Sequence, residues 1–135
     1  MRLTDSFAHL HVHSEFSMLD GAARVKDVVK AVRADGQPAV AITDHGVMYG
    51  VVDFVRAAKA EGVKPIIGIE AYLTPGNRFD RPPRRDDVRY HMTILAENDV
   101  GYRNLMQLAS RAYSEGYYYK PRMDRELLAE YAEGL

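Results

Sequence analysis

The order of apolar periods along the chain constrains the fold more than any other feature. Apolar residues alternate or run together in three short stretches, FAHLHVH, PAVAITDHG and VKPIIGIEAYL. Between them lie VKDVVKAVRADG and YGVVDFVRAAKAEG, whose apolar residues recur at helical spacing. Val25, Val28, Val29 and Val32 mark the first helical face; Val52, Val55 and Ala58, with Val51 and Phe54 beside them, mark the second. Gly36 and Gly62 stand where each helix would stop. Strand, helix, strand, helix, strand with short connections predicts an α/β fold of parallel strands joined by right-handed crossovers. The second and third strands are apolar with little alternation, as strands covered on both faces are.

The rhythm then breaks at TPGNRFDRPPRRDDVR, which carries Arg78, Arg81, Arg84, Arg85 and Arg89 against three aspartates. A loop this long is expected at the surface; a solvated loop and a phosphate-contacting loop are both open. YHMTILAEN reads as a fourth strand. DVGYRNLMQLASRAYSEG reads as a helix with Tyr102, Leu105, Leu108, Ala109 and Ala112 inward and Gly116 as its stop. YYYKPR reads as irregular, and a last helix follows, N-capped by Asp124.

A chain of 135 residues suffices for one small domain. Its net charge of -1 neither requires nor excludes a nucleic-acid partner, because charge can be local. With no cysteine there is no disulfide framework and no thiolate metal site. No apolar run reaches membrane-spanning length, and MRLTDSFAHL lacks the apolar core of a signal peptide. A cytoplasmic location and no membrane partner are therefore expected.

Ligand sites in parallel α/β folds lie beyond the carboxyl ends of the strands. The first strand ends at His11 and His13, the second at Asp44 and His45, the third at Glu70, and Asp20 follows the first strand. His91 stands near the start of the fourth strand, so this rule places it less well. A His-x-His pair on a strand puts both rings on one face, with Cα atoms roughly 6–7 Å apart. Imidazole and carboxylate together suit Zn²⁺, Mn²⁺ or Fe. A carboxylate such as Glu70 can bridge two ions about 3.5–4 Å apart, a pair able to clamp a phosphate and activate a water. Each residue also has a plainer reading. The His-x-His pair could be the polar face of an edge strand, and Asp20 and Asp44 could be turn or capping residues. His91 could be a hydrogen-bonded structural histidine, and His9 is expected only to support the pair. Glu70 is hardest to set aside, since an unpaired carboxylate in an apolar strand is costly. The convergence of these residues on one side of one sheet favours a metal site.

The stretches HLHVHSEFSMLDGAARV, AVAITDHGVMYGVVDF, GVKPIIGIEAYLTPGNRFD and EGYYYKPRMD closely resemble the N-terminal PHP (polymerase and histidinol phosphatase) domain of bacterial replicative DNA polymerase III alpha subunits. The resemblance runs from Phe7 to Leu135. GIEAYLTPG and YKPRMD look like the polymerase branch of that family, not the free-standing phosphatases. The resemblance implies a distorted β/α barrel, of which residues 1–135 would be the first half, with room for up to three divalent ions. It implies six metal ligands: His11, His13, Asp20, His45, Glu70 and His91. His11, His13 and Glu70 would serve one ion, Glu70 would bridge to a second held also by His91, and Asp20 and His45 would hold a third. Asp44 belongs to the motif without being a direct ligand.

Three further ligands of the family, a Cys or His and a late Asp-x-His, have no counterpart here, so weak metal binding by this segment alone is expected. The rest of the barrel and the polymerase domains, with their Mg²⁺ site, would lie beyond it. The implied function is the PHP segment of a replicative DNA-directed DNA polymerase, with a metal-dependent 3′–5′ proofreading exonuclease site. No catalytic residue distinct from the metal ligands is implied, and the fragment alone is expected to be inactive. The alternatives are a non-catalytic scaffold that docks a proofreading subunit, and a free-standing PHP phosphoesterase. The implied partners are primer–template DNA and, through the parent chain, the sliding clamp and clamp loader.

Overall fold

Helix α1 spans Val25–Asp35 and buries Val25, Val29 and Val32, residues four and three apart on one face. Gly36, at φ 78°, closes it: the N–H groups of Gly36 and Gln37 donate to the carbonyls of Arg33 and Val32. Gly62, at φ 67°, closes α2 (Val51–Glu61) in the same way. The buried face of α2 is Val51, Phe54 and Ala58. Val52, expected inward, is 54% exposed; the buried stripe runs through Val51, Phe54 and Ala58, which are three and four residues apart. This computed structural model describes residues 7–135, so residues 1–6 of the expected 1–135 domain lie outside it.

Strand β1 (Ala39–Ile42) is wholly buried and pairs in parallel with β2 (Lys64–Leu73), from Ala39 opposite Lys64 to Ile42 opposite Ile67. The expected first strand is an extended segment beside β1. It makes a single parallel bridge, His9 with Val40, and its His9 and Val12 carbonyls accept from the N–H groups of Ala41 and Thr43. Val12 and Phe16 pack against the core formed by Val29, Val40, Ile42, Phe54 and Ala58.

Strand β3 (Tyr90–Leu95) departs from the all-parallel expectation. It pairs antiparallel with β2, from Gly68 opposite Leu95 to Leu73 opposite Tyr90. The connection from β2 holds only a 3₁₀ turn at Arg84–Asp86 and no crossover helix, so the chain returns alongside the strand it left. Helix α3 (Asp99–Ser114) starts at Asn98, whose side chain accepts from the N–H groups of Val100 and Gly101. It buries Leu105, Leu108 and Ala112 against Ile69, Ile94 and Met123, while Tyr102, expected inward, is only half-buried.

The YYYKPR stretch is not irregular. Strands β4 (Tyr117–Tyr118) and β5 (Lys120–Met123) form a tight hairpin around Tyr119, and β5 pairs in parallel with β2 at Tyr72 and Leu73. Its strand character is hidden in the sequence because Arg122 is buried there as if it were apolar, its charge met by Asp87 and three backbone carbonyls. Helix α4 (Arg125–Glu130) is capped by the Asp124 carboxylate, which accepts from the Leu127 N–H. Strand β2 is therefore the hub of the sheet, pairing with β1, β3 and β5. No helix among the described residues is long and apolar enough to cross a membrane.

Candidate metal centre

Alternation along β2 sends Ile69 and Ala71 into one core and Glu70 to the opposite face, where it is 4% exposed. Everything else in the site is arranged around its carboxylate. His11 and His13, two residues apart on the extended segment, bring their Nε2 atoms to 2.6 and 2.5 Å from Glu70 Oε2. A parallel bridge holds His45 beside Glu70: the Glu70 N–H donates to the Asp44 carbonyl, and the Gly46 N–H to the Glu70 carbonyl. His45 Nε2 lies 2.7 Å from Asp20 Oδ2, and its Nδ1 lies 3.4 Å from Glu70 Oε1.

His91 reaches the site because β3 is antiparallel. That pairing sets the beginning of β3 beside the carboxyl end of β2, with His91 opposite Tyr72 and Thr93 opposite Glu70. His91 is then a diagonal, same-face neighbour of Glu70, and its Nδ1 hydrogen-bonds Oε1. All six residues singled out in the sequence are thus brought together. Their donor atoms form three groups, each within 4.8 Å: His11, His13 and Glu70; His45, Glu70 and His91; and His13, Asp20 and His45. His13 and His45 each belong to two groups, a sharing that goes beyond the expected division. His9 stays outside and packs edge-on against Phe7, with ring centroids 4.8 Å apart.

Asp44 does not point into the cluster. It is buried and accepts from the Ser14 N–H at 2.6 Å, the Ser14 hydroxyl at 2.7 Å and the Ser17 hydroxyl at 2.7 Å. Ser17 Oγ in turn accepts from the His45 N–H at 3.1 Å. This network folds the turn that presents Asp20. Gly21 completes it, since a Cβ there would meet the Ser14 carbonyl oxygen at 2.0 Å. Ser14 and Ser17 are not among the site residues that the sequence marks. Their only signal was two small hydroxyl residues between His13 and Asp20, facing a buried acid.

Burial works to raise the Glu70 pKa, but hydrogen bonds from His11, His13 and His91 and the charge of His45 outweigh it. The carboxyl is held at about 2 instead of 4.5. Among the described residues no lysine or arginine pairs with Glu70. His45 Nδ1 is buried without a hydrogen-bond partner. Buried polar atoms are rarely left so. An unpartnered imidazole nitrogen, three more imidazoles and two carboxylates in overlapping groups fit a divalent metal ion. A cleft of about 730 Å³ opens from the cluster, lined by Asp20, His45 and His91 and by residues of the β4–β5 hairpin.

A family model of the PHP domain matches residues 9–135. The chain is 54% identical over 131 residues to the DNA polymerase III subunit alpha of Treponema pallidum, covering 96% of this chain and 11% of that protein. It is 53% identical over 133 residues to the subunit alpha of Thermus aquaticus, with 96% and 11% covered. Against that of Aquifex aeolicus it is 48% identical over 139 residues, with 98% and 12% covered. The chain therefore spans about a tenth of the length of the curated relatives it matches. Among solved structures, an amidohydrolase from Chromobacterium violaceum aligns at TM-score 0.58 and 24% identity over 78% of this chain and 32% of that one. A protein of Bifidobacterium adolescentis, assigned as a metal-dependent phosphoesterase, aligns at TM-score 0.56 and 22% identity with the same coverage. At these identities the two structures speak for the fold alone.

Proposed function

The chain belongs to the PHP domain family, and from that premise we propose that it is the PHP segment of a bacterial replicative DNA polymerase of the polymerase III alpha type. In this reading its histidine–carboxylate cluster is a divalent-metal site that removes nucleotides from a 3′ end. The observation that carries the proposal is the convergence of His11, His13, Asp20, His45, Glu70 and His91 around one buried carboxylate. High identity to polymerase III alpha subunits supports the parentage.

Divalent ions held there would polarise the terminal phosphodiester, activate a water and stabilise the leaving 3′ oxygen. The protein's part is to hold and orient. Glu70 presents one oxygen to His11 and His13 and the other to His45 and His91, which suits a bridging carboxylate. Asp20, on the turn locked by Asp44, supplies the exposed carboxylate at the mouth of the cleft. Remaining ligands, the Mg²⁺-dependent polymerase site and contacts to primer–template DNA, sliding clamp and clamp loader belong in this reading to the parent chain, in the cytoplasm.

The test uses the full-length protein. Metal content by mass spectrometry and 3′ trimming of a mismatched primer are compared with those of His13→Ala. Loss of bound metal together with loss of trimming is the expected result. Trimming that survives His13→Ala unchanged would sink the exonuclease reading. Metal binding without any trimming would leave the site as a structural element of the polymerase.

A further inference from the structure

Beside the metal-ligand donors, the cleft is lined by aromatic rings that the chemistry above does not use. Tyr113, at the end of α3, and Tyr117, on β4, stack with ring centroids 5.9 Å apart and planes 24° from parallel. Tyr119, at the tip of the β4–β5 hairpin, lines the same cleft. Tyr117 and Tyr119 are 53% and 51% exposed.

Tyr119 is also the only non-glycine residue at positive φ among the described residues, at 58°. A bulky side chain rarely adopts that backbone. Such outliers persist where the surrounding structure holds them, and they cluster at ligand-binding positions. Here both neighbours are fixed: Tyr118 opposite Lys120, and Tyr117 opposite Pro121. The hairpin thus holds Tyr119 at the cleft.

Cations accompany the rings. Arg89 and Lys120 line the cleft, and the Arg84 guanidinium lies 5.3 Å from the centre of the Tyr119 ring. Arg89 NH1 forms an ion pair with Asp87 Oδ2 at 3.5 Å, and neither buried atom has a hydrogen-bond partner. Exposed rings with interleaved cations are what single-stranded nucleic acid binds: bases stack on the rings and phosphates meet the cations. The terminal base of a paired end is held by its partner and stacked on the pair beneath it, so reaching the rings costs the energy of unpairing it, whereas a frayed end is free to move there.

We propose that Tyr117 and Tyr119, with Arg89 and Lys120, form a stacking platform that receives the unpaired terminal bases of a single DNA strand and directs its last phosphodiester toward the Glu70 cluster. This rests on the exonuclease reading for the cleaved bond, but the platform itself is a binding site that can be read without cleavage. It makes the cleft selective for frayed over paired 3′ ends.

The full-length protein is tested in two ways. In the first, 3′ trimming is measured on a strand ending in normal nucleotides and on one ending in abasic residues. The Tyr117→Ala/Tyr119→Ala double variant should raise KM on the normal strand about tenfold, since one stacked base contributes about that much or more. It should also erase the preference for normal over abasic ends, and the Tyr117→Phe/Tyr119→Phe variant should restore it. In the second, a strand carrying 5-iododeoxyuridine at its 3′ end is irradiated on the protein and the crosslinked peptide is sequenced. Attachment within residues 113–120 is expected. His13-dependent trimming with an unchanged KM in the alanine variant and no crosslink there overturns the platform and leaves the exonuclease reading standing. A crosslink at these residues without His13-dependent trimming upholds the platform and removes the exonuclease reading. If the alanine variant loses metal or folding, the crosslink on the unsubstituted protein decides, and its absence from residues 113–120 overturns the platform.

Discussion

Two clusters of buried charge divide this molecule, and they are built on opposite principles. In one, Arg78 and Arg122 fasten the long loop after β2. Arg78 Nε lies 2.7 Å from Glu115, and its NH1 lies 3.1 Å from Asp124, whose carboxylate also accepts the Arg78 and Leu127 N–H groups. Arg122 donates to the Gly116, Arg78 and Asp80 carbonyls and to Asp87. Cation meets anion: Glu115 and Asp124 face Arg78, and Asp87 faces Arg122. In the other cluster, Glu70 faces four imidazoles and no fixed cation, and one imidazole nitrogen has no partner. The charge-balanced network behaves as structure. The network short of positive charge is suited to hold an ion. Burial alone therefore does not distinguish a latch from a site; the charge balance does.

The largest expected effect breaks the latch. Arg78→Ala leaves Asp124 and Glu115 short of their cation in a buried setting and should cost about 3–5 kcal/mol, read by chemical denaturation or by hydrogen exchange of the loop amides. A loss under about 1 kcal/mol would mean that the loop hydrates freely and the two clusters differ less than the geometry implies. Next comes Asp44→Asn. It removes the charge from the three hydrogen bonds that fold the Asp20 turn, and should weaken metal affinity about 10–100-fold while the loop after β2 stays protected. An unchanged affinity would detach Asp20 from the site.

Acid should affect both clusters. Glu70 is held at about 2, so its stabilising contribution in the metal-free protein is complete above about pH 4.5 and drains as pH falls toward 2. Burial works to raise the Asp124 pKa, but hydrogen bonds from Leu127 and Arg78 and the Arg78 charge hold it below the usual 3.8, so its contribution is present above about pH 3.8 and drains as pH falls below that. Acid titration of the metal-free protein, followed by circular dichroism, should therefore show a decline beginning near pH 4.5 that Glu70→Gln flattens. The smallest effect is expected at Arg85. It is exposed and pairs only with its exposed neighbour Asp86, so Arg85→Ala should change stability by no more than about 0.5 kcal/mol. A larger change in DNA binding than in folding would place this arginine with a ligand, not with the latch.

Much of the site was legible because parallel β/α units expose their strand ends on one side. His11, His13, His45, Glu70 and Asp20 follow from that rule and from local spacing. His91 did not follow, because whether β3 runs parallel or antiparallel to β2 depends on what its connecting loop does in space. Both directions fit the same alternating residues, and only one of them brings position 91 to Glu70. The arginine loop was ambiguous for a similar reason. Arg78 and Arg85 look alike in sequence, yet one meets Asp124, 46 positions away, and the other meets only water and its neighbour.

Sequence by itself determined the helices, where they stop, and the strands β1 to β3. Apolar period, helix-ending glycines and the capping Asp124 act over a few residues, and their physics is local. It also determined the chemical kind of the site, since the donor types are written in the residues. Tertiary structure decided the direction of β3, the strand hidden in YYYKPR and the division of buried charges between latch and cluster. Those outcomes depend on which distant groups come within a few ångströms, and the energy of a buried charge depends on its partners rather than on its neighbours in the chain.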